Sequence, residues 1–180
     1  MAATCSRLLL SCILGLSLLA AGCGFQLRGT GVDNVDLERL HLTTMRPDSV
    51  IYREIRQNLE ADGVTITESA PYHLQLLDER TERVAVSYTG RATAAEIELR
   101  SSVTFTITDA QGRPLVGPET LGTQRVYVND RNNVVGTNEE EALLQREMQR
   151  DLTRQLLFRL SSLTESELSA REQALDRQTP

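Results

Sequence analysis

The stretch AEIELRSSVTFTIT, residues 95–108, decides how this chain folds. Its odd positions are Ala95, Ile97, Leu99, Ser101, Val103, Phe105 and Ile107. The even positions from Glu96 to Thr108 read Glu, Glu, Arg, Ser, Thr, Thr and Thr. Alternate residues of a strand point to opposite faces, so this is one long strand with one face on a core and the other in water or against a wet partner. Just upstream, Val84, Val86 and Tyr88 alternate with Arg83, Ala85 and Ser87. Between the two runs Gly90-Arg91 reads as a two-residue type II′ turn, with glycine at the position that needs positive φ. That turn sets a register in which Val84 faces Ile97 on the apolar side and Arg83 faces Glu98 on the polar side. The result is a long hairpin with Arg91 at its tip, and Arg80, Arg83 and Arg100 further down.

Working outward, Leu37 to Leu42 reads as a first strand. Arg46-Pro47-Asp48 is a stop followed by a cap. Ile51, Ile55 and Leu59 then recur every four residues, which with Gly63 as a terminator marks an amphipathic helix. Val64 to Thr67 suits a short extended piece, and Tyr72 to Leu77 another strand. Beyond the hairpin, Gln111-Gly112-Arg113-Pro114 is a turn and Leu121 to Val128 a strand. The loop Asn129 to Asn133 is rich in turn formers. Thr137 and Glu140 have the spacing of a capping box, and Leu144, Met148, Leu152, Leu156 and Leu160 form the buried stripe of a final helix. The expected fold is an α+β two-layer sandwich, with two helices packed on one face of a mostly antiparallel four-stranded sheet. Residues 164–180 are polar without a stripe and read as a disordered tail.

The N-terminus is of a different kind. Arg7 precedes an uncharged apolar run that ends Leu18-Leu19-Ala20-Ala21-Gly22-Cys23. This is a secretory signal with small residues at the cleavage site, and the cysteine directly after them makes it a lipoprotein signal. Residues 1–22 are then removed, Cys23 is acylated, and residues 23–163 form a single domain. The apolar run, about 14 residues, is too short for a spanning helix, which needs roughly 20. Several acyl chains on one cysteine give stable membrane anchoring.

Composition narrows the function classes. Cys5 and Cys12 lie in the removed segment, so the mature chain has Cys23 alone and no disulfide framework or cysteine metal site. All 19 basic residues are Arg, which excludes Schiff-base lysines and phosphate-loop lysines. Removal of Arg7 leaves 18 Arg against 25 acids, a balance of −7 that argues against a nucleic-acid partner. The two histidines, His41 and His73, fall in predicted strands without metal-ligand spacing, and no nucleophile motif accompanies them. Glu139, Glu140 and Glu141 suit the positive end of a helix without any metal. The reading is a non-enzyme with neither cofactor nor metal.

The stretch Gly22-Cys23-Gly24-Phe25-Gln26-Leu27-Arg28-Gly29 resembles the start of the lipopolysaccharide-assembly lipoprotein LptE family. The resemblance continues through Tyr88 to Glu96, Asn132 to Gly136, Glu140 to Leu144 and Glu147-Met148, in the family's order. It implies two helices on a four-stranded sheet, an outer-membrane lipid anchor, and a periplasmic-side position as a plug in the lumen of the LptD-like β-barrel. It further implies assistance in assembling that barrel and binding of lipopolysaccharide during delivery to the cell surface. By the same resemblance Arg91 meets lipopolysaccharide phosphates, with Arg80, Arg83 and Arg100 extending the basic region. The loop before the final helix, Val134 to Asn138, carries no charge, and Arg131 is the basic residue nearby. The alternatives are an interaction lipoprotein of another envelope lipid-transport or barrel-assembly complex, or a small tethered hydrolase using His41 or His73.

Overall fold

The structure is a computed structural model that describes residues 35–88, 90 and 94–178. Its strands are β1 (Arg39–Thr44), β2 (Thr65–Ile66), β3 (Tyr72–Tyr88), β4 (Ala94–Asp109) and β5 (Pro114–Val128). Its helices are α1 (Val50–Ala61), α2 (Val134–Ser161) and α3 (Glu165–Gln178). One sheet has the order β2-β1-β3-β4-β5. The α+β arrangement expected from the sequence is present, with five strands in place of four and three helices in place of two. β1 pairs parallel with both β2 and β3, whereas β3–β4 and β4–β5 are antiparallel. The extra strand is the two-residue piece at Thr65–Ile66, added beside β1 as the chain returns from α1.

The periodic segments form as read. Ile51, Ile55 and Leu59 are the buried residues of α1, which starts at Ser49, whose hydroxyl accepts the Tyr52 N–H. Gly63 follows it at φ +92°. Met148, Leu152, Leu156 and Leu160 of α2 are fully buried, opposite Leu99, Val103, Phe105 and Ile107 of β4, which are also fully buried. α2 begins one turn earlier than the expected capping box. Asn133 caps it by accepting the Gly136 N–H, and the Thr137 hydroxyl is instead donated to the Asp130 carbonyl.

β3 departs most from expectation. Tyr72–Leu77 and Val84–Tyr88 belong to one 17-residue strand interrupted by irregular register between Leu76 and Asp78. Below the interruption the expected phase holds, with Leu74 opposite Ile107 and Leu76 opposite Phe105. Above it the strand has advanced by one residue, so Arg83 pairs with Leu99, Val84 with Glu98 and Ala85 with Ile97. The extra residue, Leu77, is a β-bulge, and one inserted residue exchanges the two faces of everything beyond it. The expected pairs Val84–Ile97 and Arg83–Glu98 therefore do not form. Glu79, Thr81, Arg83 and Ala85 lie on the helix face, and Arg80, Glu82 and Val84 on the outer face. Arg91, and with it the expected Gly90–Arg91 turn, lies outside the described residues, as does Cys23 with its signal.

The bulge also divides the core. The main cluster gathers β1, α1, the lower parts of β3 and β4, and the second half of α2. A smaller one holds Ile97, Leu99, Tyr127 and Met148 near the hairpin's far end. Between them lies a polar waist, where Ser49 Oγ donates to Glu79 Oε1 at 2.8 Å and the Thr81 and Ser101 hydroxyls meet at 2.9 Å. β5 begins at Pro114, before the expected Leu121, and bends at Gly117. There φ is +81°, and a Cβ would stand 2.9 Å from the Phe105 carbonyl oxygen.

The polar tail is helical. Leu168 is fully buried in the main core and Leu175 packs against it. Arg171 Nη1 donates to the Leu115 carbonyl at 3.0 Å, and Arg113 joins buried Asp109 (2.5 Å) to Asp176 (2.7 Å). Two leucines seven residues apart, with arginine contacts between them, hold a helix that shows no continuous apolar stripe.

Two carboxylates in these junctions are shifted downward. Burial pushes the Asp109 carboxyl up. Hydrogen bonds from the Arg113 backbone, the Arg113 guanidinium and the Gln111 backbone outweigh that, leaving it below its ordinary value. Glu119 is lowered chiefly by its two hydrogen bonds from Arg159, 2.8 and 2.9 Å long. A depressed native pKa contributes stability that is present above the unfolded carboxylate range, near about 4, and is lost as pH falls below it. Urea midpoints of the native protein are expected to drop between about pH 5 and pH 2. Glu119→Gln should begin lower at neutral pH and fall less steeply, and parallel curves would show that this pair contributes no pH dependence.

Candidate functional site

The outer face of β3–β4–β5 carries a shallow groove of about 510 Å³ lined by Arg80, Glu82, Arg100, Ser102, Gly122 and Gln124, with Ser101 and Thr123 at its floor. The register explains the grouping: Arg80 pairs with Ser102 and Ser102 with Gly122, while Glu82 pairs with Arg100 and Arg100 with Gln124. Gly122 leaves this floor bare. A Cβ there would meet only the Ser101 carbonyl oxygen, at 3.8 Å, so packing does not demand glycine at that position. A groove of similar size, about 540 Å³, runs between α1 and α2 and contains none of the arginines singled out from the sequence.

The groove is charge-balanced. Arg80 lies 3.7 Å from Asp78 and 3.5 Å from Glu82. Arg100 Nε donates to Glu98 Oε2 at 2.7 Å, and Glu98 is buried beside it. Two guanidiniums among three carboxylates, at exposed sites, form pairs of little net stability that a ligand anion can exchange for its own oxygens.

Arg83 is elsewhere. The bulge turns it to the helix face, where its Nη2 donates to the Tyr127 hydroxyl at 2.8 Å and stands 3.1 Å from Glu141. The Tyr127 hydroxyl in turn donates to Glu141 at 2.5 Å. Burial first, and then Glu141, push the Tyr127 phenol up. The structure therefore joins Arg80 and Arg100 in one groove and uses Arg83 to fasten α2 to β5. Arg131 is exposed in the loop after β5, at the hairpin's far end, where Asn129 N–H bonds the Ala95 carbonyl. The contribution of Gly122 and Gln124 was open to sequence reading, because a glycine inside a strand marks a close approach or a bare surface.

The histidines sit side by side across β1 and β3, ring centroids 4.7 Å apart and edge to face. His41 Nδ1 is buried without a hydrogen-bond partner among the described residues. Among those residues no group of three metal-ligating side chains converges.

A polar, catalytically bare sheet face on this topology is what the comparisons also describe. A family model described as "LptE: Lipopolysaccharide-assembly" matches residues 37–160. This chain belongs to the LptE family. It is 28% identical to an LPS-assembly lipoprotein LptE of Photorhabdus laumondii over 177 residues, covering 94% of this chain and 95% of that protein. An LPS-assembly lipoprotein LptE of Yersinia pestis is 27% identical over 170 residues, covering 89% and 79%. Among solved structures, a minor lipoprotein of Acinetobacter baumannii is similar with TM-score 0.58 and 31% identity, covering 69% of this chain and 91% of that one. An uncharacterised lipoprotein B of Nitrosomonas europaea, at 22% identity, shares the fold with TM-score 0.67, covering 82% and 97%. The family membership read from Gly22–Gly29 and the later motifs is thus borne out, and the matched residues contain both the LptE groove and the α2–β5 junction.

The two kinds of arginine should separate in stability measurements. Arg83→Met removes a bonded partner from Tyr127 and Glu141 and is expected to cost about 1 kcal/mol, the figure for a charged hydrogen bond discounted for exposure. Arg80→Met and Arg100→Met should each change urea stability by less than about 0.5 kcal/mol. Equal losses from all three would mean that the groove arginines are structural.

Proposed function

We propose that this LptE-family chain is a non-enzymatic outer-membrane lipoprotein, anchored through acylated Cys23 after removal of residues 1–22. It plugs the lumen of an LptD-like β-barrel, assists that barrel's assembly, and binds lipopolysaccharide on its way to the cell surface. The observation that carries the reading is the outer sheet face, joined to the family match. It is long, rich in hydroxyls and paired charges, and free of catalytic constellations among the described residues. Barrel lumens are polar, so such a face is compatible with one without burying unpaired groups. Arg80 and Arg100 in the groove, with Arg131 and Arg91 towards the hairpin tip, are the candidates for sugar-phosphate contact. Arg83 is committed to Tyr127 and Glu141, and contributes by holding the sheet to α2.

Affinity purification of the full lipidated protein from detergent-solubilised membranes, with mass spectrometry of what is retained, tests the assembly role. A stoichiometric barrel that survives high salt is the expected result. Recovery of other envelope proteins without a barrel would replace this reading with that of a general interaction lipoprotein.

The absence of Lys makes the anchor separately testable. After cleavage and N-acylation at Cys23 the mature chain has no primary amine at all. An amine-reactive dye should therefore fail to label the denatured, membrane-extracted protein. Labelling at one site per chain would show a cleaved but non-acylated N-terminus.

A further inference from the structure

We infer that the far end of the outer face is a hydrocarbon-binding strip, formed by Val84, Val126 and Val128, that receives acyl chains of the lipopolysaccharide whose phosphates are met by the arginines beside it. The inference rests on the ligand proposed above.

The strip follows from register. Val126 pairs with Glu98, Glu98 with Val84, and Val128 with Glu96, all on the side of the sheet away from the helices. Val126 and Val128 are 54% and 61% exposed, and Val86, in the bulged end of β3, is 46% exposed. The intervening residue Tyr127 is buried against Met148, which fixes its two neighbours outward. Val134 and Val135, also exposed, open α2 at the same end of the molecule. Exposed valines gathered in register on one face differ from apolar residues scattered singly, which need no explanation.

Two features select the occupant. The first is adjacency. Arg100 pairs with Gln124, two residues below Val126, which places a guanidinium about 7 Å from the start of the strip on the same face. A ligand that satisfies both at once is an anionic amphiphile. The second is size. From strand spacing and rise, the valines span about 10 Å across and about 7 Å along the sheet. That is far below the roughly 800 Å² per partner of a stable protein interface, and adequate for hydrocarbon chains lying on a β-branched surface. Glu98, the carboxylate in the middle of the strip, is buried and bonded to Arg100, so it does not present a free charge to the chains.

The chain contains no Trp, so a single introduced indole reports without background. The experiment uses the full lipidated protein in one non-ionic detergent, with Val128→Trp as the reporter and Val126→Thr/Val128→Thr as the shape-preserving test. Intact lipopolysaccharide, alkali-deacylated lipopolysaccharide, phosphatidylglycerol and the purified barrel are added in turn, and retention of each is measured alongside emission. The expected result is a blue shift with intact lipopolysaccharide and none with the deacylated form. The double Thr variant should retain intact lipopolysaccharide about tenfold less well while its melting temperature and its retention of the deacylated form stay unchanged. Unaltered retention by the double variant, or an unshifted indole with lipopolysaccharide bound, overturns the strip while leaving the proposed function standing. A shift caused by the barrel alone, or equally by phosphatidylglycerol, overturns it in favour of that occupant. If the native protein retains no lipopolysaccharide, the ligand part of the proposed function fails and the strip fails with it.

Discussion

One extra residue in β3 governs what each face of this molecule presents. Leu77 breaks the pairing between Leu76–Phe105 and Asp78–Thr104, and every side chain beyond it changes sides. Below the bulge, Tyr72, Leu74 and Leu76 feed the core. Without it, Val84 and Val86 would continue that apolar row under α2, and Arg83 would stand on the outer face with Glu98. With it, Arg83 goes under the helix and Val84 goes out. A bulge is tolerated here because the inner positions just above it are met by polar partners. Ser49 reaches Glu79 and Ser101 reaches Thr81, so the turned residues arrive at a waist already furnished with hydrogen-bonding groups.

The same waist explains why α2 needs charged fastenings. With the apolar core interrupted, a 28-residue helix cannot be held by one continuous seam. Three polar junctions to β5 run along its length: Tyr127 and Arg83 at Glu141, Arg125 at Asp151, and Glu119 at Arg159. Asp151 is shared by Arg154, which holds its carboxylate from both sides. An all-arginine complement suits this use. The planar guanidinium makes two directed bonds where an ammonium makes one, as Arg159 does to both oxygens of Glu119.

Much of this was legible beforehand, for a physical reason. β4, α1 and α2 bury one full face each, so their sequences carry a clean period of two or of three to four residues. The bulge left no comparable trace. Residues 77–83 read Leu-Asp-Glu-Arg-Thr-Glu-Arg, a run with no alternation to show which parity faces the core. Register there is decided by Ser49 and Ser101, which are distant in sequence. α3 was missed because Leu168 and Leu175 are two turns apart, and Arg171 supplies by hydrogen bonding what an apolar neighbour ordinarily would. In the groove, Arg80 and Arg100 were identified from the hairpin alone. Arg83 was assigned to the wrong face with the register, and Gly122 was passed over because a glycine carries no chemistry of its own.

An acidic chain that grips an anion must do so by exchange. The groove arginines are not free cations awaiting a ligand. Arg80 sits between Asp78 and Glu82, and Arg100 is bonded to Glu98. Such exposed pairs are worth about 0–1 kcal/mol each, so breaking them costs little, and the carboxylates released from Arg80 remain hydrated. Glu98 is different, because it is buried and would lose its partner at a higher cost. Arg100 is therefore best regarded as sharing its five donors between Glu98 and an incoming oxygen, and Arg80 as the group that swings over entirely. This arrangement favours weak, reversible contact over tight capture, which suits a surface that a ligand must leave as readily as it arrives.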